Sequence, residues 1–363
     1  MYALLFLDTG LSQGEVSGLF ALWSVTAFLA EVPAGVLADR WSRRGALVLS
    51  GVGEAAAFAL WTAAPGAASF AVGFVVWGIA GALVSGTVEA VLYDGLAGHG
   101  ASGAYARVHG WTTAAELLVQ VPTAGLATVL VAAGGYELVG WVSVVVCLAV
   151  AALALRFPDA PPAVCAAAPD GAAEPDGADE PPLGRAVGLA LRRPGLRLVV
   201  VAVAALGGLD ALEEYQPVLA AEWGVPAAAV PVAVLAVSLT GALGAALGGR
   251  AARLPGVVLL GLLVASALLL AGAALWARPV AVVALACSYG LYLAVLVVAE
   301  TRLQERISGR YRATLTSVAG LGIELASLLV FAAWAMGGAL AVAGLALAVV
   351  PLVARAMSAR LPA

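Results

Sequence analysis

The sequence predicts an all-α membrane protein built as two halves of transmembrane helices, and three observations lead there. Hydrophobic residues make up 63% of the chain and charged residues only 11%, with a mean hydropathy of +1.03, whereas a soluble domain is about half apolar and a quarter charged. Apolar runs long enough to cross a bilayer recur along the chain between polar junctions. All eighteen basic residues are arginine, and on the resulting topology seventeen of them fall on one side and Arg278 alone on the other. Such sorting is expected when basic loops are retained in the cytoplasm, and a wrong span count would scramble it.

The spans follow in order. Residues 1–8 form an apolar run of roughly 12 Å at 1.5 Å per residue, less than half of a hydrocarbon core of about 30 Å. Neither a basic n-region nor a small-residue cleavage site accompanies it, so it reads as the outer end of a first helix whose beginning is missing and not as a signal peptide. Eleven complete spans are expected after this stub. Residues 16–38 run inward to a charged junction, 45–64 return outward to a Pro65-Gly66 turn, and 69–93 come back to the polar cluster Glu89, Tyr93 and Asp94. The fifth span, 108–133, carries Glu116 and Pro122 and closes at Gly134-Gly135; the sixth, 138–155, stops at Arg156. Residues 157–193 are rich in proline, glycine, alanine and acid, without aromatic residues or periodicity. Such a segment buries too little to fold and reads as a disordered cytoplasmic linker. Six more spans follow at 198–221, 227–248, 255–276, 279–299, 313–335 and 337–354. The expected organisation is an N-terminal transmembrane half at 1–156, the linker at 157–193 and a C-terminal half at 194–363, with the C-terminus cytoplasmic. The 43 glycines suit helices that approach closely in lipid, where packing holds them together.

The junction between the second and third spans reads EVPAGVLADRWSRRG from Glu31 to Gly45. Within it Gly35, Asp39, Arg40, Arg43 and Arg44 meet the pattern G-x-x-x-D-R-x-x-R-R without a gap. The pattern resembles the loop signature of the major facilitator superfamily of secondary transporters, and the phrase EVPAG also recurs in that family just ahead of the loop. SGTVEAVLYDG from Ser85 and RATLTS from Arg312 look like stretches of its bacterial drug-efflux-like members. One departure stands out: the glycine-rich fifth-helix signature of many proton antiporters is absent, and QVPTAG keeps only Pro122 and Gly125 of it.

The resemblance implies two six-helix bundles that rock about a central cavity, a multi-pass protein of the plasma membrane, and alternating-access transport of a small organic solute. Proton-coupled export of an amphipathic or cationic compound is the leading expectation. Uptake by symport with protons is the alternative, and a non-transporting membrane protein with an incomplete first helix is the alternative of another class. The resemblance also implies a cytoplasmic latch, with Asp39 facing the inner end of the eleventh helix near Arg312 and a loop arginine pairing with an acid such as Asp94. An internal repeat accompanies the two halves. Arg40 and Arg43 after the second span are echoed by Arg250 and Arg253 after the eighth, with Gly249 where Asp39 would stand, and Glu89 has a counterpart in Glu300. Parallel repeats are expected when two halves are related by an axis along the membrane normal.

Enzyme chemistry finds no support, because no nucleophile, base and orienting residue converge and the two histidines, His99 and His109, lie in or beside a cytoplasmic loop. No metal spacing, disulfide framework, cofactor motif or nucleic-acid-binding charge is present. Candidate residues are therefore ionisable groups inside the membrane, which are costly there and mark ion or substrate paths. Asp210, Glu213 and Glu214 sit together in the seventh span, where helical spacing puts Asp210 on the face of both glutamates. Glu31, Glu89, Glu116 and Glu324 are further proton or substrate candidates, and Glu54 is another acid near the middle of a span.

Overall fold

The computed structural model describes residues 2–84, 87–101, 104–157, 194–306 and 312–358, and every regular element among them is helical. Contacts group the chain into two units, Met1–Leu11 with Gly18–Gly177 and Ser12–Ser17 with Ala178–Ala363. The expected linker lies outside the described residues from 158 onward.

The first unit carries α1 (Tyr2–Asp8), most of α2 (Gln13–Arg40), α3 (Arg43–Ala63), α4 (Ala67–Val84), α5 (Thr87–Gly98) and α6 (Tyr105–Ala154). Helix α2 starts on a capping box: the Glu15 amide donates to the Ser12 hydroxyl at 3.3 Å, and the Ser12 amide and hydroxyl each donate to Glu15 Oε2 at 2.8 Å. Helix α3 starts on Ser42, whose hydroxyl accepts the Gly45 amide at 2.9 Å. The α2–α3 junction rests on small side chains, because Ala34, Ala38, Ala46, Ala82 and Leu83 are buried together. Away from that end the core is aromatic: Phe6, Phe20, Trp61, Phe70 and Phe74 are fully buried. The Trp61 indole N–H donates to the Phe70 carbonyl at 3.3 Å, so its polar atom is satisfied inside the core.

The second unit carries α7 (Pro194–Gly208), a 3-10 helix (Leu209–Tyr215), α8 (Gln216–Glu222), a short 3-10 turn (Ala227–Ala229), α9 (Val230–Ala251), α10 (Gly256–Trp276), α11 (Ala281–Arg306) and α12 (Arg312–Ser358). Helices α9 and α11 approach so closely that a Cβ on Gly244 would lie 2.0 Å from the Gly290 carbonyl oxygen. The α9–α10 junction rests on buried Ala251, Leu259 and Val298, a smaller version of the packing under the α2–α3 junction. That likeness extends to structure the echo of Arg40 and Arg43 in Arg250 and Arg253.

Seven of the described helices are long and apolar enough to cross a membrane. Two of them, Leu118–Ala154 and Ala319–Ala356, run to 37 and 38 residues, about 55 Å of helix, almost twice one crossing. Both are broken at a glycine pair, with Gly135 at φ 62° and Gly338 at φ 57°. Each therefore serves two of the expected spans, and the same device occurs once in each unit. Their outer faces are apolar and uncovered, Leu118 being 70% and Val145 65% exposed, as is Val257 of α10 at 75%. Patches of that kind on many helices need lipid against them.

Residues 69–93 are helical wherever they are described, as α4 and α5, with 85–86 outside the described residues. One expected span is divided. The seventh span is not one α-helix but α7, the 3-10 segment and α8.

Candidate functional site

The division of the seventh span falls on its acids. In a 3-10 helix residues three apart eclipse one another, whereas a residue four apart is turned away. Asp210 and Glu213 therefore align, and Glu214 does not share their face. The α-helical expectation that Asp210 faces both glutamates is corrected here: the pair is Asp210 with Glu213.

Helix α11 supplies what joins them. The hydroxyl of the buried Tyr289 lies 3.0 Å from Asp210 Oδ1 and 3.4 Å from Glu213 Oε2. One hydroxyl has one proton, so it donates to one carboxylate at a time and leaves the other short of a donor. One turn further along α11, the Tyr292 hydroxyl donates to the carbonyls of Leu206 at 3.0 Å and Gly207 at 3.4 Å. These carbonyls stand where α7 gives way to 3-10 geometry, so Tyr292 compensates the backbone for the change. A Cβ on Gly241 of α9 would lie 2.6 Å from the Tyr289 ring, so the bare backbone there makes room for it. Asp210 and Glu214 are half-buried and Glu213 is exposed. Two carboxylates around one hydroxyl, with an open side, form an acceptor set for a proton or an organic ammonium group.

Beyond the acids, the 3-10 segment ends at Tyr215, which stacks on Trp334 at a centroid distance of 4.0 Å and donates to the Ser17 hydroxyl at 2.7 Å. These contacts hold the end of the 3-10 segment while the acidic turn departs from α geometry.

The other candidates are scattered. Glu31 in α2 and Glu324 in α12 are exposed. Gly35 and Arg40 lie in the last turns of α2, with Arg40 exposed, and Arg43 and Arg44 open α3 half-buried. Asp39, Glu89, Asp94, Glu116 and Arg312 lie on described helices, but their side chains fall outside the described residues. Between α3, α5 and α6 the first unit holds a cavity of about 350 Å³ lined by Leu47, Val88, Leu92, Leu96, His99 and Thr112. His99 Nδ1 is 2.8 Å from the Gly95 carbonyl, a helix-end contact that gives the ring a structural partner.

Tyr289 and Tyr292 are the residues that sequence reasoning missed. In an apolar run an aromatic reads as core; the available signal was the phrase SYGLY at 288–292, two hydroxylated rings three residues apart in one span.

A family model described as Major Facilitator Superfamily matches residues 1–330. The chain belongs to the major facilitator superfamily. Among solved structures it is similar to the nucleoside transporter NupG, with a TM-score of 0.71 at 12% identity over 99% of this chain and 94% of that one. It is also similar to a D-xylose-proton symporter, with a TM-score of 0.69 at 13% identity over 96% and 89% of the two chains. No curated protein matches the sequence. At these identities the likeness carries the fold, and with the family and the apolar spans it makes the chain a multi-pass transporter of that superfamily.

Proposed function

We propose that this transporter exports a small amphipathic or cationic organic compound in exchange for protons, with Asp210 and Glu213 as the shared acceptor. The observation that carries the reading is the single Tyr289 hydroxyl set between the carboxylates of Asp210 and Glu213. A proton or an ammonium group satisfies the same acceptors, so arrival of one favours departure of the other, which is the competition that exchange requires. Glu214, turned from the pair, acts at the mouth as an attracting group. Spans that are otherwise apolar suit such a solute better than a sugar, which needs several amides. Gly35, Asp39, Arg40, Arg43 and Arg44, with Asp94 and Arg312, serve as a latch made in one conformation and broken in the other. The two transmembrane halves are taken as 1–156 and 194–363, joined by a cytoplasmic linker, in the plasma membrane.

Proteoliposomes with an imposed proton gradient test this. Asp210→Asn is expected to abolish gradient-driven flux of a lipophilic cation, Tyr289→Phe to slow it about tenfold, and Asp39→Asn to slow it without loss of membrane insertion. Full proton-coupled flux in Asp210→Asn would move the carrier role to Glu31, Glu116 or Glu324. Solute movement down the proton gradient would establish uptake by symport in place of export.

A further inference from the structure

We propose that Glu54 and the ring faces of Trp23, Phe58 and Trp77 form a second binding site, in the first unit, for a hydrophobic organic cation. Glu54 stands at the middle of α3, a helix of membrane-crossing length. A carboxylate there is costly unless something offsets its charge. Its contacts among the described residues are the Trp77 indole N–H and the Cys147 thiol at 3.9 Å. Those are two donors, the thiol a weak one, for an acceptor with about four lone-pair sites, and no basic side chain among the described residues joins them.

What surrounds the carboxylate is aromatic. Phe58 lies one turn along α3 on the same face, with its ring 5.4 Å from that of Trp77. Trp23 of α2 stacks on Trp77 at 6.0 Å and 30°. Behind this wall Phe74 and Trp61 touch Trp77 at 6.0 and 5.2 Å and are fully buried, whereas Trp23, Glu54, Phe58 and Trp77 each keep part of their surface open. Tyr2 also packs edge-on against Trp77, with ring centroids 5.2 Å apart, so the stack is closed on the side of Tyr2, Trp61 and Phe74, and what stays partly open is the surface of Trp23, Phe58 and Trp77 that accompanies the half-buried carboxylate. Aromatic faces, those of tryptophan above all, attract cations through the ring quadrupole. A metal ion is a poor fit, since no group of three or more His, Cys, Asp or Glu side chains gathers among the described residues and the ring faces offer no ligand atoms. A proton alone would make no use of the rings. The ligand that uses both parts carries a diffuse positive charge on an apolar body, as a quaternary ammonium or phosphonium ion does. The site rests on the proposed function only for its place in a transport cycle; as a binding site it stands on α2, α3 and α4.

Equilibrium binding to the full chain in nanodiscs separates the two. Tetraphenylphosphonium is the probe, with Cys165 and Cys287 replaced by serine so that modification of Cys147 by N-ethylmaleimide reports occupancy next to Glu54. Tetraphenylphosphonium is expected to protect Cys147 and quench tryptophan fluorescence saturably, and uncharged triphenylphosphine oxide to do neither. Glu54→Gln should weaken binding about tenfold or more, whereas Trp77→Phe, which keeps a ring face, should weaken it less than Trp77→Leu. Protection of Cys147 should persist in Asp210→Asn, whose loss of flux bears on the proposed function alone. Equal protection by the phosphine oxide, no protection in the parent protein, or unchanged affinity in Glu54→Gln would each overturn the site. Should Glu54→Gln fail to fold, the charged and uncharged ligands on the parent protein decide the matter by themselves.

Discussion

At the scale of the residue, the start of α2 shows how one short phrase acts on local structure. Ser12 and Glu15 satisfy each other's amides reciprocally, and the Ser12 amide and then its hydroxyl hold the Glu15 carboxyl below the usual carboxylate range. A carboxyl whose folded pKa is depressed contributes stability that is complete above its unfolded value, near 4.5, and is lost as pH falls through the lower folded value. Protection of the residue 13–16 amides against exchange, relative to the unfolded chain at the same pH, should therefore be greater at pH 6 than in acid, and Glu15→Ala should lower it at pH 6 more than in acid; equal protection in the variant at pH 6 would refute the cap. The box was legible as S-x-x-E before an apolar run. Asp210 and Glu213 were legible too, because acids in a span are conspicuous. Tyr289 was not, since its role depends on α11 lying beside the acidic turn, and no spacing within α11 announces that.

At the scale of the element, helix ends were readable within a few residues wherever charge, proline or a glycine pair punctuates the apolar runs, as at Arg40, Pro65-Gly66 and Gly134-Gly135. The 3-10 segment was not readable. LDALEEY contains good helix formers and no breaker, and the conformation is supported from outside, by Tyr292 on the carbonyls of Leu206 and Gly207. The glycine breaks in α6 and α12 can be tested directly. Gly135 (φ 62°, ψ −157°) and Gly338 (φ 57°, ψ −147°) occupy a region essentially closed to residues with a Cβ. Gly135→Ala and Gly338→Ala are each expected to cost about 1–3 kcal/mol, read as lower thermal midpoints in detergent. Gly125→Ala, where a Cβ would meet nothing within 4 Å, should leave the midpoint in place. Unchanged midpoints in all three would show that the breaks tolerate ordinary residues.

At the scale of the whole molecule, the all-helical membrane class followed from hydropathy and arginine sorting alone, and the family from one loop pattern. Neither carries the substrate, because cavity chemistry is assembled from residues far apart in sequence, as Glu54, Trp77 and Cys147 illustrate. Orientation is open to measurement from outside intact cells. After removal of the native thiols, Ser42→Cys is expected to stay unlabelled by an impermeant maleimide, whereas Glu137→Cys, exposed just beyond the α6 break, should react. The opposite pattern would invert the topology. The breaks themselves have a practical corollary. A break confined to two glycines leaves no loop between the helices on either side of it, so proteases and loop-directed antibodies should find little purchase at these two points, and an epitope inserted there must bring its own tether.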